Sequence, residues 1–280
     1  MRPVNDLLRP VFDLLQAPLA GLPAFLGVLL WSIPVGVFAL WVFGKTSNQE
    51  RIAEVKRHIF AGLFEIRLFN DDLRAIMRAQ VEILGHVLRY QALALKPMIF
   101  ILPPLVLVMV QLHQFYGFRG LQPGDEALMT VQLGPSAGAS GARPELSLEL
   151  PDGLRVVTGP VWVPSLAQAS WLLGVESEGD FELVIGVDGQ TFRKSVTATS
   201  KLVRLSPERP PATFIGQLEW PSEPPFERGS AVRSVTLGYP EGTIGLLGWD
   251  FEWSFAWMVV FFVLTMVVAL VLRKPMGVEL

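Results

Sequence analysis

The sequence predicts an α-helical membrane protein with three spans and a cytoplasmic helical hairpin, plus an extracytoplasmic antiparallel β-sandwich domain. Three observations carry this. Charged residues are absent from 22 residues at 22–43, 22 at 97–118 and 19 at 254–272, against the roughly 20 needed to cross a bilayer. Between the first two stretches, residues 45–96 carry nine Lys or Arg and six acids. Residues 117–253 carry ten basic and 17 acidic residues, in short apolar runs broken by Gly and Pro.

Composition agrees with this division. With 51% hydrophobic and 18% charged residues over 280 positions, the chain is too apolar for an ordinary soluble domain and too unevenly so for a polytopic bundle. A net charge of -3 argues against nucleic acid as a partner, because phosphate binding needs a concentrated basic face. The absence of Cys removes disulfides, thiolate metal sites and cysteine nucleophiles together.

Residues 1–21 read as an amphipathic interfacial helix. Val4, Leu7, Leu8, Val11, Phe12 and Leu15 recur at helical spacing, with Arg2, Asp6, Arg9 and Asp13 between them. Such a helix lies in the outer membrane interface or packs on the protein's own outer domain, and periodicity alone fits both. The first span, 22–43, contains Gly27, Pro34 and Gly36, residues that permit close approach or a bend. Its Trp41 suits the inner aromatic belt. No basic region leads into this span and no small-residue site closes it, so it reads as an anchor and not as a cleaved signal.

Residues 45–96 predict a helical hairpin. Ser47 and Glu50 have capping-box spacing, and Ile52, Val55, Ile59, Leu63 and Ile66 form one apolar stripe. Asn70, Asp71 and Asp72 favour a turn and an N-cap. A second stripe follows at Leu73, Ile76, Met77, Ile83, Leu84, Val87 and Leu88. Pro97 at a first helical turn opens the second span, 97–116. Pro103 and Pro104 fall inside it, where they free backbone carbonyls and predict a bend or a water-accessible cavity. Gln111, His113 and Gln114 form its polar outer end.

Runs at 127–133, 146–150, 154–163, 181–187, 191–198 and 232–239 read as strands. Asp188 and Gly189 suit a type I′ hairpin turn. Trp249, Trp253 and Trp257 lead into the third span, 254–272, as an interfacial anchor, and 273–280 is a short tail opening with Arg273 and Lys274. Excess positive charge stays inside. That rule places the hairpin and the C-terminus in the cytoplasm, and the N-terminus and the β-domain outside, in a multi-pass protein of the cell membrane.

No catalytic constellation stands out. Gly134 to Gly138 matches a nucleophile elbow in letters, but the elbow requires a strand-to-helix turn, and no histidine follows it. His58 and His86 can approach each other across the hairpin, yet a pair without a third ligand of fixed spacing is far from a zinc pattern. Asp71 and Asp72 are explained by capping. No phosphate-binding loop and no cofactor motif occurs. Lys45, Arg51, Lys56 and Arg57 hold the topology and contact anionic lipid, each worth about 1 kcal/mol near the surface, or also present a basic mouth to a polypeptide.

From 45 to 114 the arrangement resembles the YidC-type membrane insertase superfamily. Its members place a cytoplasmic helical hairpin between the first two core spans. Lys96, Pro97 and Pro103 match the proline spacing that opens that family's second span. Its following glutamine falls on Leu107, with Gln111 a turn later. The family's groove arginine has no counterpart in 22–43, and the family lacks a β-domain between the second and third spans. The resemblance implies an insertase-like or membrane-chaperone protein, not an enzyme, with a client groove along Ile99, Pro103, Pro104, Leu107 and Gln111. The implied partners are the lipid bilayer and hydrophobic client polypeptides. A scaffold or accessory subunit that binds other membrane-complex subunits fits the same features, and an outward-facing ligand sensor would need a pocket in the β-domain.

Overall fold

The structure, a computed structural model, describes residues 1–69, 71–135, 137, 144–246 and 248–278. Among these residues six α-helices span Arg2–Gln16 (α1), Ala24–Thr46 (α2), Gln49–Leu68 (α3), Leu73–Tyr116 (α4), Phe214–Glu219 (α5) and Ala256–Leu272 (α6). Ten strands among the described residues span Glu126–Leu133 (β1), Leu146–Glu149 (β2), Leu154–Val163 (β3), Gln168–Val175 (β4), Gly179–Val187 (β5), Gln190–Ala198 (β6), Glu208–Arg209 (β7), Val232–Leu237 (β8), Thr243–Leu246 (β9) and Trp249–Glu252 (β10). The chain divides into two compact units. One comprises Met1–Gly27 with Leu107–Val259, the other Val28–Val106 with Val260–Leu280.

In the first unit the strands form antiparallel sheets of order β3-β4-β1-β8-β7, β2-β5-β6 and β10-β9. Alternation decides their faces: β1 buries Ala127, Met129, Val131 and Leu133 in turn. Those side chains meet Trp171 and Leu173 of β4, Val235 of β8, Leu183 and Ile185 of β5 and Val196 of β6 in one hydrophobic core. The expected hairpin is present, with Val187 opposite Gln190. Asp188 and Gly189 both have positive φ, 49° and 77°, the conformation a type I′ turn demands. Strand β4 was not anticipated from sequence. Its alternation is nonetheless present, with Ala169, Trp171, Leu173 and Val175 on the buried parity and Gln168 and Ser170 on the other, and it pairs with both β1 and β3.

In the second unit α3 and the first half of α4 form the expected antiparallel hairpin. His58 and His86 stack at 4.9 Å between ring centroids, the Lys56 ammonium sits 5.9 Å from the Tyr90 ring centroid, and Gly62 faces Ile83 so closely that a Cβ there would crowd it. Asp72 caps α4, its Oδ1 accepting from the Arg74 and Ala75 N–H groups at 2.9 and 3.3 Å. Asn70, the first residue of the predicted turn, lies outside the described residues.

Several expectations change. The cap of α3 is Asn48 and not Ser47. Asn48 is extended (φ -89°, ψ 91°) and its side chain accepts from the Arg51 N–H at 3.0 Å. The Ser47 hydroxyl instead donates back to the Phe43 carbonyl. The second hairpin helix and the second apolar stretch are one helix of 44 residues, so Pro97 is interior and does not open a new helix. A proline's fixed φ is compatible with a helix, but Pro97 leaves the Leu93 carbonyl without its N–H donor and crowds it, at a cost of about 3 kcal/mol. Trp257 is buried, 1% exposed, and does not belong to a membrane belt. By length and composition α2 and α4 are apolar enough to cross a membrane, while α6 is a shorter apolar helix of 17 residues.

Candidate functional site

The sequence-predicted groove residues fall in both units. Ile99, 70% exposed, and Pro103, also exposed, stand on α4 with Pro104 half-buried beside them. Met98, Phe100 and Leu102 are exposed around them, so this part of α4 presents a continuous apolar surface. The prolines leave a polar trace on it. Pro103 and Pro104 have no N–H to offer the carbonyls of Ile99 and Phe100, which therefore lack their intrahelical donors. Of the basic residues, Lys45, Arg51 and Arg57 are exposed and Lys56 is half-buried against Tyr90. The hairpin exposes Phe60, Phe64 and Leu68 on α3, and Leu73, Met77, Val81, Leu84 and Leu88 on α4. Those spacings of three and four make an unpartnered stripe on each helix.

Leu107 and Gln111 belong to the first unit. Leu107 is half-buried. Gln111 is buried, and its Oε1 accepts from Arg204 Nη1 at 2.9 Å, which commits it to a tether. Arg204 Nε also donates to Asp13 of α1 at 2.7 Å, and its guanidinium lies 4.7 Å over the Phe115 ring. Around this clamp the end of α4 is bound to the segment 202–222. The Leu205 N–H donates to the Gln114 carbonyl at 2.9 Å, and Gln114 Nε2 donates to the Glu219 carbonyl at 3.3 Å. The Gln16 amide and the Tyr116 hydroxyl exchange bonds of 3.0 and 3.2 Å. Trp257 Nε1 donates to His113 Nδ1 at 3.3 Å, leaving the proton of a neutral imidazole on Nε2. Phe255 stacks on that ring at 5.2 Å and 6°. Gly27 faces the Tyr116 hydroxyl with no room for a Cβ, which brings the start of α2 to the same point.

Two cavities of about 620 and 520 Å³ open beside this junction and share Ala20, Phe115, Thr199, Lys201, Leu202 and Val203. Their size is that of small-molecule sites. The first also has Asp13, Asp180 and Arg204 in its wall.

A second polar cluster lies inside the β-domain. Lys194 is fully buried, and its Nζ donates to Glu223 Oε1 at 2.5 Å, to the Ser206 carbonyl at 2.5 Å and to the Ser195 carbonyl at 3.0 Å. The Ser206 hydroxyl donates to the same carboxylate. A serine beside a lysine suggests a nucleophile and its base, but the chemistry is closed. The ammonium is fully buried and paired with a carboxylate, and the serine proton is already given away. Burial by itself pushes the Glu223 carboxyl up; the Lys194 ammonium, helped by Ser206 and Ser195, overrides it and holds the group below the usual carboxylate range. Sequence reasoning missed Lys194, Glu223 and Arg204. A signal for the first was present: Lys194 shares strand parity with Val196 and Ala198, both core residues.

Among the described residues no group of three or more His, Asp or Glu side chains is placed to hold a metal ion. Ser136 and Gly138 of the elbow-like match lie outside the described residues. No known protein-family model matches the chain, and no curated protein does.

Proposed function

We propose that this chain is an insertase-like membrane protein that helps hydrophobic polypeptides enter or assemble in the bilayer. In this reading α2, the second half of α4 and α6 are three spans of the cell membrane. The hairpin and the C-terminus face the cytoplasm, and the two larger sheets form a β-sandwich outside. The resemblance to YidC-type insertases supports it, as does the hairpin between two apolar stretches.

The observation that carries the reading is the proline-bearing part of α4. In hydrocarbon, an unpaired backbone carbonyl costs several kcal/mol. Two freed carbonyls beside exposed Ile99, Leu102 and Pro103 therefore demand water or a passing polar group. That is what a client-conducting surface has to supply. It lowers the barrier for polar residues, each of which costs a few kcal/mol or more in lipid. Lys45, Arg51 and Arg57 hold anionic headgroups at the inner surface.

Photocrosslinkers at Ile99, Leu102 and Pro103, activated during synthesis of stalled membrane-protein chains, should capture those chains, and capture should fall when the stalled chain lacks a hydrophobic segment. Labelling of lipid alone overturns the reading. The unpartnered stripes on α3 and α4 favour a second reading, in which the hairpin pairs with a helix of another membrane-complex subunit and the protein is an accessory scaffold. Crosslinks from Met77 and Leu84 to one fixed subunit, independent of synthesis, would select it.

A further inference from the structure

Amphipathic helices on globular domains ordinarily turn their apolar face inward. Helix α1 departs from this. Phe12 is its one buried apolar side chain, and its inward hydrogen bonds are polar: Asn5 Nδ2 donates to the Gln217 carbonyl at 2.6 Å, Asp13 accepts from Arg204, and Gln16 is bonded to Tyr116 at the end of α4. Leu7, Val11, Leu14 and Leu15 point away from the protein, with Leu14 74% exposed.

A second apolar face lies at the other end of the same unit's chain. Among the described residues strand β10 pairs with β9 alone, Trp249 opposite Leu246 and Phe251 opposite Ile244. Residues two apart share a face, so Trp249 and Phe251 stand on one side and Asp250 and Glu252 on the other, and Trp249 is 73% exposed. Trp253 and Phe255 continue the exposed aromatics up to α6.

We propose that these two faces are one footing in the outer leaflet, at the boundary of headgroups and acyl chains, which seats the β-domain against the bilayer. The inference rests on the spans assigned above and adds to them a membrane contact that is not a span. Chain continuity selects lipid as the occupant. Trp253 precedes Ala256 by three residues, so it lies within roughly 11 Å of the start of α6 at full extension. Gln16 is bonded to Tyr116, the last residue of α4, and the Tyr116 ring lies 6.0 Å from that of Trp257 in α6. The end of α1 and the start of α6 therefore stand at one level. With 17 residues, α6 covers about 26 Å at 1.5 Å per residue, short of the roughly 30 Å hydrocarbon core. Aromatics at its outer end make up the difference at the level where Trp is favoured.

The cysteine-free chain allows a direct test. Leu7→Cys, Leu14→Cys and Phe251→Cys, with Asp6→Cys and Asp250→Cys as polar-face controls and Leu30→Cys in α2 as a span control, are each nitroxide-labelled in the full-length protein. The protein is reconstituted in phosphatidylcholine and phosphatidylglycerol vesicles, and collisions with oxygen and with a water-soluble nickel chelate are measured. Labels at 7, 14 and 251 should be oxygen-dominated, about 5–10 Å deep, and those at 6 and 250 nickel-dominated. Nickel-dominated labels at 7, 14 and 251 with a deep label at 30 overturn the footing and leave the spans standing. A label at 30 in water removes both. Labels at 7, 14 and 251 shielded from both reagents overturn the footing in favour of a protein partner.

Discussion

Glu223→Gln should destabilise the β-domain more than any other single polar substitution, by about 3–5 kcal/mol, the cost of leaving a buried charge without its partner. Lys194 is fully buried and its ion-pair partner is Glu223, 12% exposed at the side chain. The amide keeps the shape but removes the charge, so the ammonium must lose its proton or stand uncompensated. Near-UV circular dichroism of the detergent-solubilised full chain during unfolding is the measurement. Lys194→Met with Glu223→Leu should recover most of the loss, because a packed apolar pair often matches a buried ion pair. An unfolding curve for Glu223→Gln that overlies the wild type contradicts this account of the core. The pH dependence has a fixed sign. Folded Glu223 titrates below the ordinary value of 4.5, so in acid the unfolded chain binds a proton that the folded chain does not. Its contribution is whole above about pH 5 and is lost as pH falls through the depressed folded value.

Arg204→Ala should release α1. The substitution removes donors to Asp13 and Gln111 and the contact over Phe115 at once. Gln111 is buried, so an acceptor left without its donor costs about 1–3 kcal/mol, and the charge-assisted bond to Asp13 adds to it. Hydrogen exchange should accelerate in α1 by roughly 10- to 100-fold, with little change in β1, β4 or β5. Asn5 and Gln16 still hold the helix, so exchange should stay below that of a free peptide. Arg204→Lys, which keeps the charge without the planar fork, should fall between. Unchanged exchange in α1 would mean that the clamp is not what docks it.

Much of this fold is legible in the sequence, for reasons of scale. The apolar helices, the helical hairpin and the Asp188-Gly189 turn are set by local chemistry, and each recurs in the structure, although Leu73, Met77, Leu84 and Leu88 of the expected second stripe are exposed. What escaped depends on partners far away in the chain. Strand β4 is an exception, since its alternation at Ala169, Trp171, Leu173 and Val175 was present in the sequence and overlooked. Pro97 reads as a start signal, yet the helix runs through it, because a helix of 44 residues absorbs the cost of an interior proline. Trp257 reads as a belt residue, and its indole is taken by His113, 144 residues away. Candidate-site residues follow the same rule. Ile99, Pro103 and Pro104 were legible because proline in an apolar helix is conspicuous. Arg204 was not, because an arginine in a loop looks solvated until its two partners, on α1 and α4, are seen.

Reconstitution tests the central claim most directly. Vesicles containing the purified chain should raise the protease-protected fraction of a short radiolabelled membrane polypeptide several-fold over empty vesicles. Paired charges on the client-facing surface, Ile99→Asp with Leu102→Asp, should abolish the gain while the purified variant keeps the wild-type circular dichroism spectrum. Equal protection with and without the chain would contradict the assignment.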